Sequence, residues 1–189
     1  MPFKTNKHRI LGVDPGTQLL GYAVIEPFGN GIKVHTYGTM HLKKLDDHQE
    51  KLKEIYHQLQ DLIEAYQPGV MAIEAPFYGK NVQAMLKLGR AQGVSIAAAI
   101  TMGLEIHEYS PKKIKQSVTG NGNAAKEQVA AMLSHLLGTP IQSTHLDATD
   151  ALACAVCHHQ NTGILSGSAF KKRISSWKSF VSNNPEKVK

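Results

Sequence analysis

Residues 8–17, HRILGVDPGT, join a short apolar run to a sharp break. The branched apolar side chains in residues 8–14 are typical of a buried strand. Asp14 ends this run, and Pro15 with Gly16 predicts a turn directly after it. The sequence therefore predicts a buried strand with an aspartate at its carboxyl end.

Two further strands are predicted next, over residues 20–26 and 32–40, on either side of a turn at 28–31. Their short connections indicate an antiparallel meander that includes the first strand. Apolar residues three and four apart between Leu52 and Tyr66 then predict an amphipathic helix, which Pro68 and Gly69 end.

Strands and helices alternate in the second half of the chain. Strands are predicted over residues 70–74 and 104–109, and helices over 81–101, 111–119, 124–137 and 144–159. Because a helix precedes the strand at 70–74, that strand is expected to run parallel to the first. The predicted fold is an α/β domain with a mixed five-stranded sheet flanked by helices.

Length and composition limit the possible classes of protein. At about 150 residues per domain, the 189 residues predict one domain, residues 1–160, with a basic tail, residues 161–189. A content of 42% apolar and 19% charged residues is that of an ordinary globular protein. Two cysteines exclude a disulfide framework. Neither an apolar leader nor a run of 18 apolar residues occurs, so we expect a cytoplasmic protein without a membrane span.

The formal net charge of +6 is unevenly distributed along the chain. Residues 163–189 hold six cations and one anion, and residues 80–126 hold seven cations and two anions. Residues 43–64 instead carry four cations and six anions. A basic half beside an acidic patch suits a polyanion such as nucleic acid. The same distribution fits a solvated surface with a solubilising tail, so charge alone leaves both interpretations open.

Acidic residues from three distant segments are predicted to converge. Asp14 and Glu74 end two strands that are expected to be parallel, so their carboxylates emerge at one edge of the sheet. Asp147 and Asp150 are three residues apart on a predicted helix and share one face. Crowded carboxylates repel each other unless a cation lies between them, and oxygen ligands favour Mg²⁺ or Mn²⁺. Two such ions can catalyse the hydrolysis of a phosphodiester bond by water.

Each of these acids also has a purely structural interpretation. Asp14 can start a turn, and Glu74 can be an exposed strand end. Asp147 can form a capping box with Thr144, and Asp150 can complement the helix dipole. The surrounding residues of that helix are apolar, however, so both aspartates lie on a stripe expected to face the sheet. Acidic side chains that face the sheet require a cation or hydrogen-bond partners, which favours the interpretation as an ion site.

Six blocks of this sequence carry a family resemblance. They are RILGVDPGT (9–17), GYA (21–23), AIE (72–74), AMLKLGRAQG (84–93), KQSVTG (115–120) and DATDALA (147–153). In this order and spacing they resemble the RuvC family of bacterial Holliday-junction resolvases. The resemblance implies a ribonuclease H-like fold and a Mg²⁺-dependent endonuclease that resolves Holliday junctions by symmetric paired nicks in DNA recombination and repair. It implies Asp14, Glu74, Asp147 and Asp150 as catalytic ligands of two ions per subunit, with Mn²⁺ as a substitute.

The resemblance also implies contacts with DNA. It implies that Phe77 stacks on an unstacked base at the crossover, and that Lys115 and Lys126 lie at the DNA backbone and near the scissile phosphate, Lys126 as a catalytic residue. We expect further phosphate contacts from the nearby residues Lys80, Lys112 and Lys113. Without the resemblance, all of these are ordinary solvated lysines and a loop aromatic.

Assembly follows from the substrate that the resemblance implies. A four-way junction has two strands to cut that are related by a two-fold axis, so one active site per chain implies a homodimer. The resemblance points to the helix at 81–101 as the contact, with the small or apolar residues Met85, Leu86, Leu88, Gly89, Ala91, Gly93, Ala97 and Ala98. It also implies the RuvA–RuvB branch-migration complex as a partner.

Parts of the sequence also fit three other classes of protein. Cys154, Cys157 and His158 have the spacing of c-type haem attachment, but their apolar neighbours favour buried structural thiols. An actin-like ATPase or sugar kinase also begins with a strand-Asp-x-Gly-Thr motif, but that class needs two lobes and far more residues. A junction-binding protein that has lost catalysis is expected to have a broken acid set, whereas all four positions here are acidic.

Overall fold

The computed structural model describes residues 5–29, 31–76, 81–141 and 146–162. Within these ranges, five strands form one sheet in the order β3-β2-β1-β4-β5. The strands are β1 (Asn6–Asp14), β2 (Leu19–Phe28), β3 (Gly31–His41), β4 (Pro68–Glu74) and β5 (Glu105–Tyr109).

Strand β1 lies at the centre of the sheet and pairs antiparallel with β2 and parallel with β4. The outer pairs are β2 with β3, antiparallel, and β4 with β5, parallel. The predicted mixed five-stranded sheet is therefore confirmed. Because β1, β4 and β5 run in the same direction, their carboxyl ends meet at one edge of the sheet.

Helices cover both faces of this sheet. They are α1 (His48–Tyr66), α2 (Val82–Thr101), α3 (Pro111–Thr119), α4 (Lys126–Leu137) and α5 (Leu146–Asn161). Alternate residues of a strand point to opposite faces, so Ile10 packs with α3, α4 and α5 while Leu11 packs with α1 and α2. Among the described residues, no helix is both long and apolar enough to cross a membrane.

Several elements extend past the apolar patterns that predict them. Strand β1 begins at Asn6, whose N–H donates a hydrogen bond of 2.7 Å to the carbonyl of Gln67. Helix α1 begins at His48, before its first apolar residue, and the predicted start of α5 at Thr144 lies outside the described residues. Element ends depend on backbone hydrogen bonds, which polar residues form as well as apolar ones.

Helix α5 lies directly on the sheet at two glycines. A Cβ atom added to Gly12 of β1 would lie 2.1 Å from the carbonyl oxygen of Ala151, and one added to Gly21 of β2 would lie 2.0 Å from that of Asp147. No side chain can occupy so short a separation. Glycine at these two positions therefore lets the backbone of α5 contact the backbone of β1 and β2, and it determines how close Asp147 comes to the sheet.

The residues of α2 that we predicted as a dimer contact lie on two sides of the helix, only one of which is exposed. Ala91 and Ala98 are fully buried in the core that α1 and α2 form against the sheet. The prediction is therefore wrong for these two residues, whose small size serves packing within the chain. Gly89, Gly93 and Ala97 lie on the exposed side of the same helix.

The close contact of α5 with β2 predicts the effect of a single added methyl group. Gly21→Ala should lower the free energy of unfolding by about 1–3 kcal/mol or more, because the methyl group has no space beside the carbonyl of Asp147. The measurement is urea denaturation followed by circular dichroism.

Gly31→Ala is the matched control, because a Cβ at that strand position meets only the carbonyl of Phe28, at an ordinary 3.8 Å. Equal unfolding free energies for the two variants would contradict the tight contact at Gly21.

Candidate functional site

The candidate site begins at the ends of two neighbouring strands. Asp14 is the last residue of β1, and Glu74 is the last residue of β4. The two strands are parallel with Val13 beside Ile73, so the next residue of each presents its carboxylate at the same edge. The N–H of Ala75 then donates to the carbonyl of Tyr109 on β5, which holds the chain directly after Glu74.

Helix α5 adds two more carboxylates from its first turns. Asp147 and Asp150 are one helical turn apart, and the contacts at Gly12 and Gly21 bring this end of α5 onto the sheet. Oxygen atoms of Asp14, Asp147 and Asp150 all lie within 4.8 Å of one another, and the three residues are partly buried. Glu74 lines the same cavity as Asp14 and Asp150. The four predicted acids are thus brought together.

Burial and mutual repulsion make these acids hard to ionise. The pKa of Asp14 is raised to about 8, mainly by burial and then by the negative charges of Glu74, Asp150 and Asp147. The pKa of Glu74 is raised to about 7, again by burial first and then by Asp150. Such carboxyl groups hold protons near neutral pH unless a cation lies among them. The donor set, all carboxylate oxygens, suits a hard divalent cation such as Mg²⁺ or Mn²⁺.

Lys126 is the cation in direct contact with this cluster. It is the first residue of α4, and its ammonium group donates a hydrogen bond to Oδ2 of Asp150. Burial lowers the pKa of Lys126, but the hydrogen bond to Asp150 and the nearby carboxylates outweigh burial and raise it. Lys126 therefore stays protonated.

Two cavities adjoin Asp14 and Glu74. The first, of about 260 Å³, is also lined by Asp150, Lys126 and Lys115 of α3. The second, of about 170 Å³, lies on the side of α2 and is lined further by Pro15, Ala75, Pro76, Leu88 and Gln92. A phosphate approaching the acids through the first cavity would meet both lysines.

The second cavity includes two residues of α2 that were not predicted as part of the site. Leu88 and Gln92 lie one helical turn apart on α2, and Gln92 is buried. Its Nε2 donates a 2.7 Å hydrogen bond to Glu108 of β5. The available signal was a glutamine next to Ala91 on the side of the helix that is rich in small residues, because a buried amide requires a polar partner.

The remaining predicted DNA contacts lie further away or outside the described residues. Lys112 and Lys113 are exposed at the start of α3, and neither lines the cavity that holds Lys115. Phe77 and Lys80 lie outside the described residues, as does the tail from residue 163 onward.

The cysteine motif lies in the core on the opposite end of α5. Cys154 and Cys157 are buried free thiols, which confirms the prediction of structural cysteines. Burial raises the pKa of both thiols. His158 is also buried, and its Nδ1 is 2.9 Å from the hydroxyl group of Tyr109. This end of the helix therefore serves packing against β5.

Comparisons with known proteins identify the family of this chain. The family described as "Crossover junction endodeoxyribonuclease RuvC" matches residues 10–158. A curated protein of that name from Cytophaga hutchinsonii is 54% identical over 186 residues, 98% of this chain and 90% of the relative. Another from Porphyromonas gingivalis is 49% identical over 182 residues, 95% of this chain and 96% of the relative.

Solved structures show the same architecture. The chain superimposes on Thermus thermophilus RuvC in complex with Holliday junction substrate with a TM-score of 0.74 and 28% identity, covering 82% of this chain and 94% of that one. The fold is therefore ribonuclease H-like, as expected. The match spans β1 to α5 and includes all four acids. This chain belongs to the RuvC family of crossover junction endodeoxyribonucleases.

Proposed function

We propose that this protein is an endonuclease that resolves Holliday junctions in DNA recombination and repair by paired, symmetric nicks. The observation that carries the proposal is the convergence of Asp14, Asp147 and Asp150 within 4.8 Å at the carboxyl end of β1, in a chain that belongs to this family. Relatives bear the name crossover junction endodeoxyribonuclease, and one related structure holds a Holliday junction substrate.

The acids are proposed to hold Mg²⁺, with Mn²⁺ as a substitute and two ions per subunit. The ligands are Asp14, Glu74, Asp147 and Asp150. The raised pKa values of Asp14 and Glu74 support this assignment, because a divalent cation among the carboxylates offsets the burial and the repulsion that keep them protonated. When bound, such ions supply activation of water and stabilisation of the leaving oxygen in phosphodiester hydrolysis.

The basic residues near the acids are proposed to position the DNA. Lys115 and Lys126 line the cavity beside Glu74, where their ammonium groups can bind the phosphates next to the scissile bond. Lys126 neutralises charge that develops at the reacting phosphate. Further along the backbone we propose contacts from Phe77, Lys80, Lys112 and Lys113, with Phe77 stacking on an unstacked base.

A homodimer is proposed because the junction has two strands to cut around a two-fold axis. The exposed side of α2 supports this assembly, since Val82, Leu86 and Ile100 are 65%, 54% and 58% exposed in the single chain. Gly89, Gly93 and Ala97 lie between them on the exposed side and allow a second helix to approach closely. We further propose action in the cytoplasm together with the RuvA–RuvB branch-migration complex, as the family resemblance implies.

Substrate structure is the first property to test. With Mg²⁺ present, the protein should cut a four-way junction and leave a linear duplex of identical sequence intact, and a chelator should abolish cutting. The measurement is gel electrophoresis of end-labelled strands. Equal cutting of the two substrates would contradict junction resolution while leaving nuclease activity in place.

Asp14→Asn should lower cleavage by about 100-fold or more, because removal of a central charged ligand weakens ion binding by several kcal/mol. Junction binding without divalent ions, measured by fluorescence anisotropy, should stay within about twofold, since affinity comes mainly from phosphate contacts elsewhere. Asp61→Asn, an exposed position on α1, is the matched control. Near-normal cleavage by Asp14→Asn would exclude Asp14 as an ion ligand.

Ala97→Glu should convert the dimer to monomers that nick junctions without resolving them, because the charge would be buried in the helix contact. Light scattering at tens of micromolar protein measures the mass. Ala65→Glu, the same substitution at an exposed position of α1, should leave the dimer intact. A dimeric mass for Ala97→Glu, or a monomeric one for the unmodified protein, would overturn the proposed contact.

A further inference from the structure

Asp150 takes part in two arrangements at the same time. It is one of the three carboxylates whose oxygens lie within 4.8 Å of one another. It is also the acceptor for the ammonium group of Lys126. A single carboxylate thus belongs both to the proposed ion site and to an ion pair within the chain.

The ion pair and a bound cation oppose each other. Asp150 is 19% exposed and Lys126 is 46% exposed, so the lysine side chain has free space outside the cluster whereas the carboxylate has little. A divalent cation coordinated by an oxygen of Asp150 would repel an ammonium group held on the same carboxylate. The partner that can move away is Lys126.

The position of Lys126 on α4 is also unfavourable for its positive charge. It is the first residue of this helix, where the helix dipole presents a partial positive charge to the ammonium group. The ion pair with Asp150 therefore offsets the repulsion between the ammonium group and the positive end of the helix dipole. Loss of that partner leaves the ammonium group ready to bind another anion, and the adjoining cavity, lined also by Lys115, opens toward solvent.

We propose that the Lys126 ammonium group is a built-in placeholder cation, which holds Asp150 while no divalent ion is bound and moves to a DNA phosphate when one binds. The inference rests on the proposed function for the ion site itself. It adds that ion binding and DNA binding are coupled through one lysine. Since such coupling is reciprocal, each ligand should raise the affinity for the other.

Isothermal titration calorimetry of Mn²⁺ into the full-length protein without DNA tests whether Lys126 competes with the ion for Asp150. Lys126→Met should bind Mn²⁺ at least fivefold more tightly than the unmodified protein, because no ammonium group competes for Asp150. Lys115→Met is the matched control, since it removes a charge from the same cavity while the hydrogen bond to Asp150 comes from Lys126. Because Lys115 acts on Glu74 through its charge alone, we expect a smaller gain in Mn²⁺ affinity for that variant than for Lys126→Met.

The outcomes separate this inference from the function on which it rests. If the unmodified protein binds no Mn²⁺, or binds it equally after Asp14→Asn, the proposed ion site is wrong and the placeholder with it. If the unmodified protein binds Mn²⁺ through Asp14 but Lys126→Met binds no more tightly than Lys115→Met, only the placeholder is overturned.

A measurement on the unmodified chain does not depend on whether the variants fold. Two-dimensional NMR of lysine ammonium groups should show the Lys126 signal, assigned through its correlations to the Lys126 backbone, leaving its ion-paired position as Mg²⁺ is added. The Lys115 signal should move less. An unchanged Lys126 signal at saturating Mg²⁺ would overturn the proposal.

Discussion

The contact between the backbone of α5 and the backbones of β1 and β2 is the constraint on which the site depends. Cβ atoms at Gly12 and Gly21 would lie 2.1 Å and 2.0 Å from carbonyl oxygens of α5. Without side chains at these two positions, the first turn of the helix reaches the edge where β1 ends. Asp147 and Asp150 thereby come close to Asp14. If α5 lay further from the sheet, its carboxylates would be separated from Asp14.

The close approach of the four carboxyl groups makes their ionisation unfavourable. Four carboxyl groups share a partly buried region, and the pKa of Asp14 rises to about 8 because of burial and its acidic neighbours. Lys126 offsets part of this repulsion by its hydrogen bond to Asp150. A fold with this site is poised to bind cations, because a bound divalent ion replaces repulsion with attraction.

Local patterns predicted the strands, the helices and the position of each acid within them. Asp14 and Glu74 were placed at strand ends because apolar runs stop there, and Asp147 and Asp150 share a helix face by their spacing. Local patterns did not separate the two sides of α2, where Ala91 and Ala98 proved to be core residues. Small residues suit both a core and an interface, so their size alone does not distinguish the two. Gln92 was missed because its partner, Glu108, lies on another element.

Local sequence patterns were enough to predict the order of elements, the acidic residues at their ends and the family to which the chain belongs. The period of a helix or strand sets where a side chain points on its own element, and that is local information. Which groups touch depends on how the elements pack together. Lys126 and Asp150 are 24 residues apart on different helices, and their contact exists because α4 and α5 pack against the same sheet face. Packing between elements depends on how closely their backbones approach, which no single segment of sequence specifies.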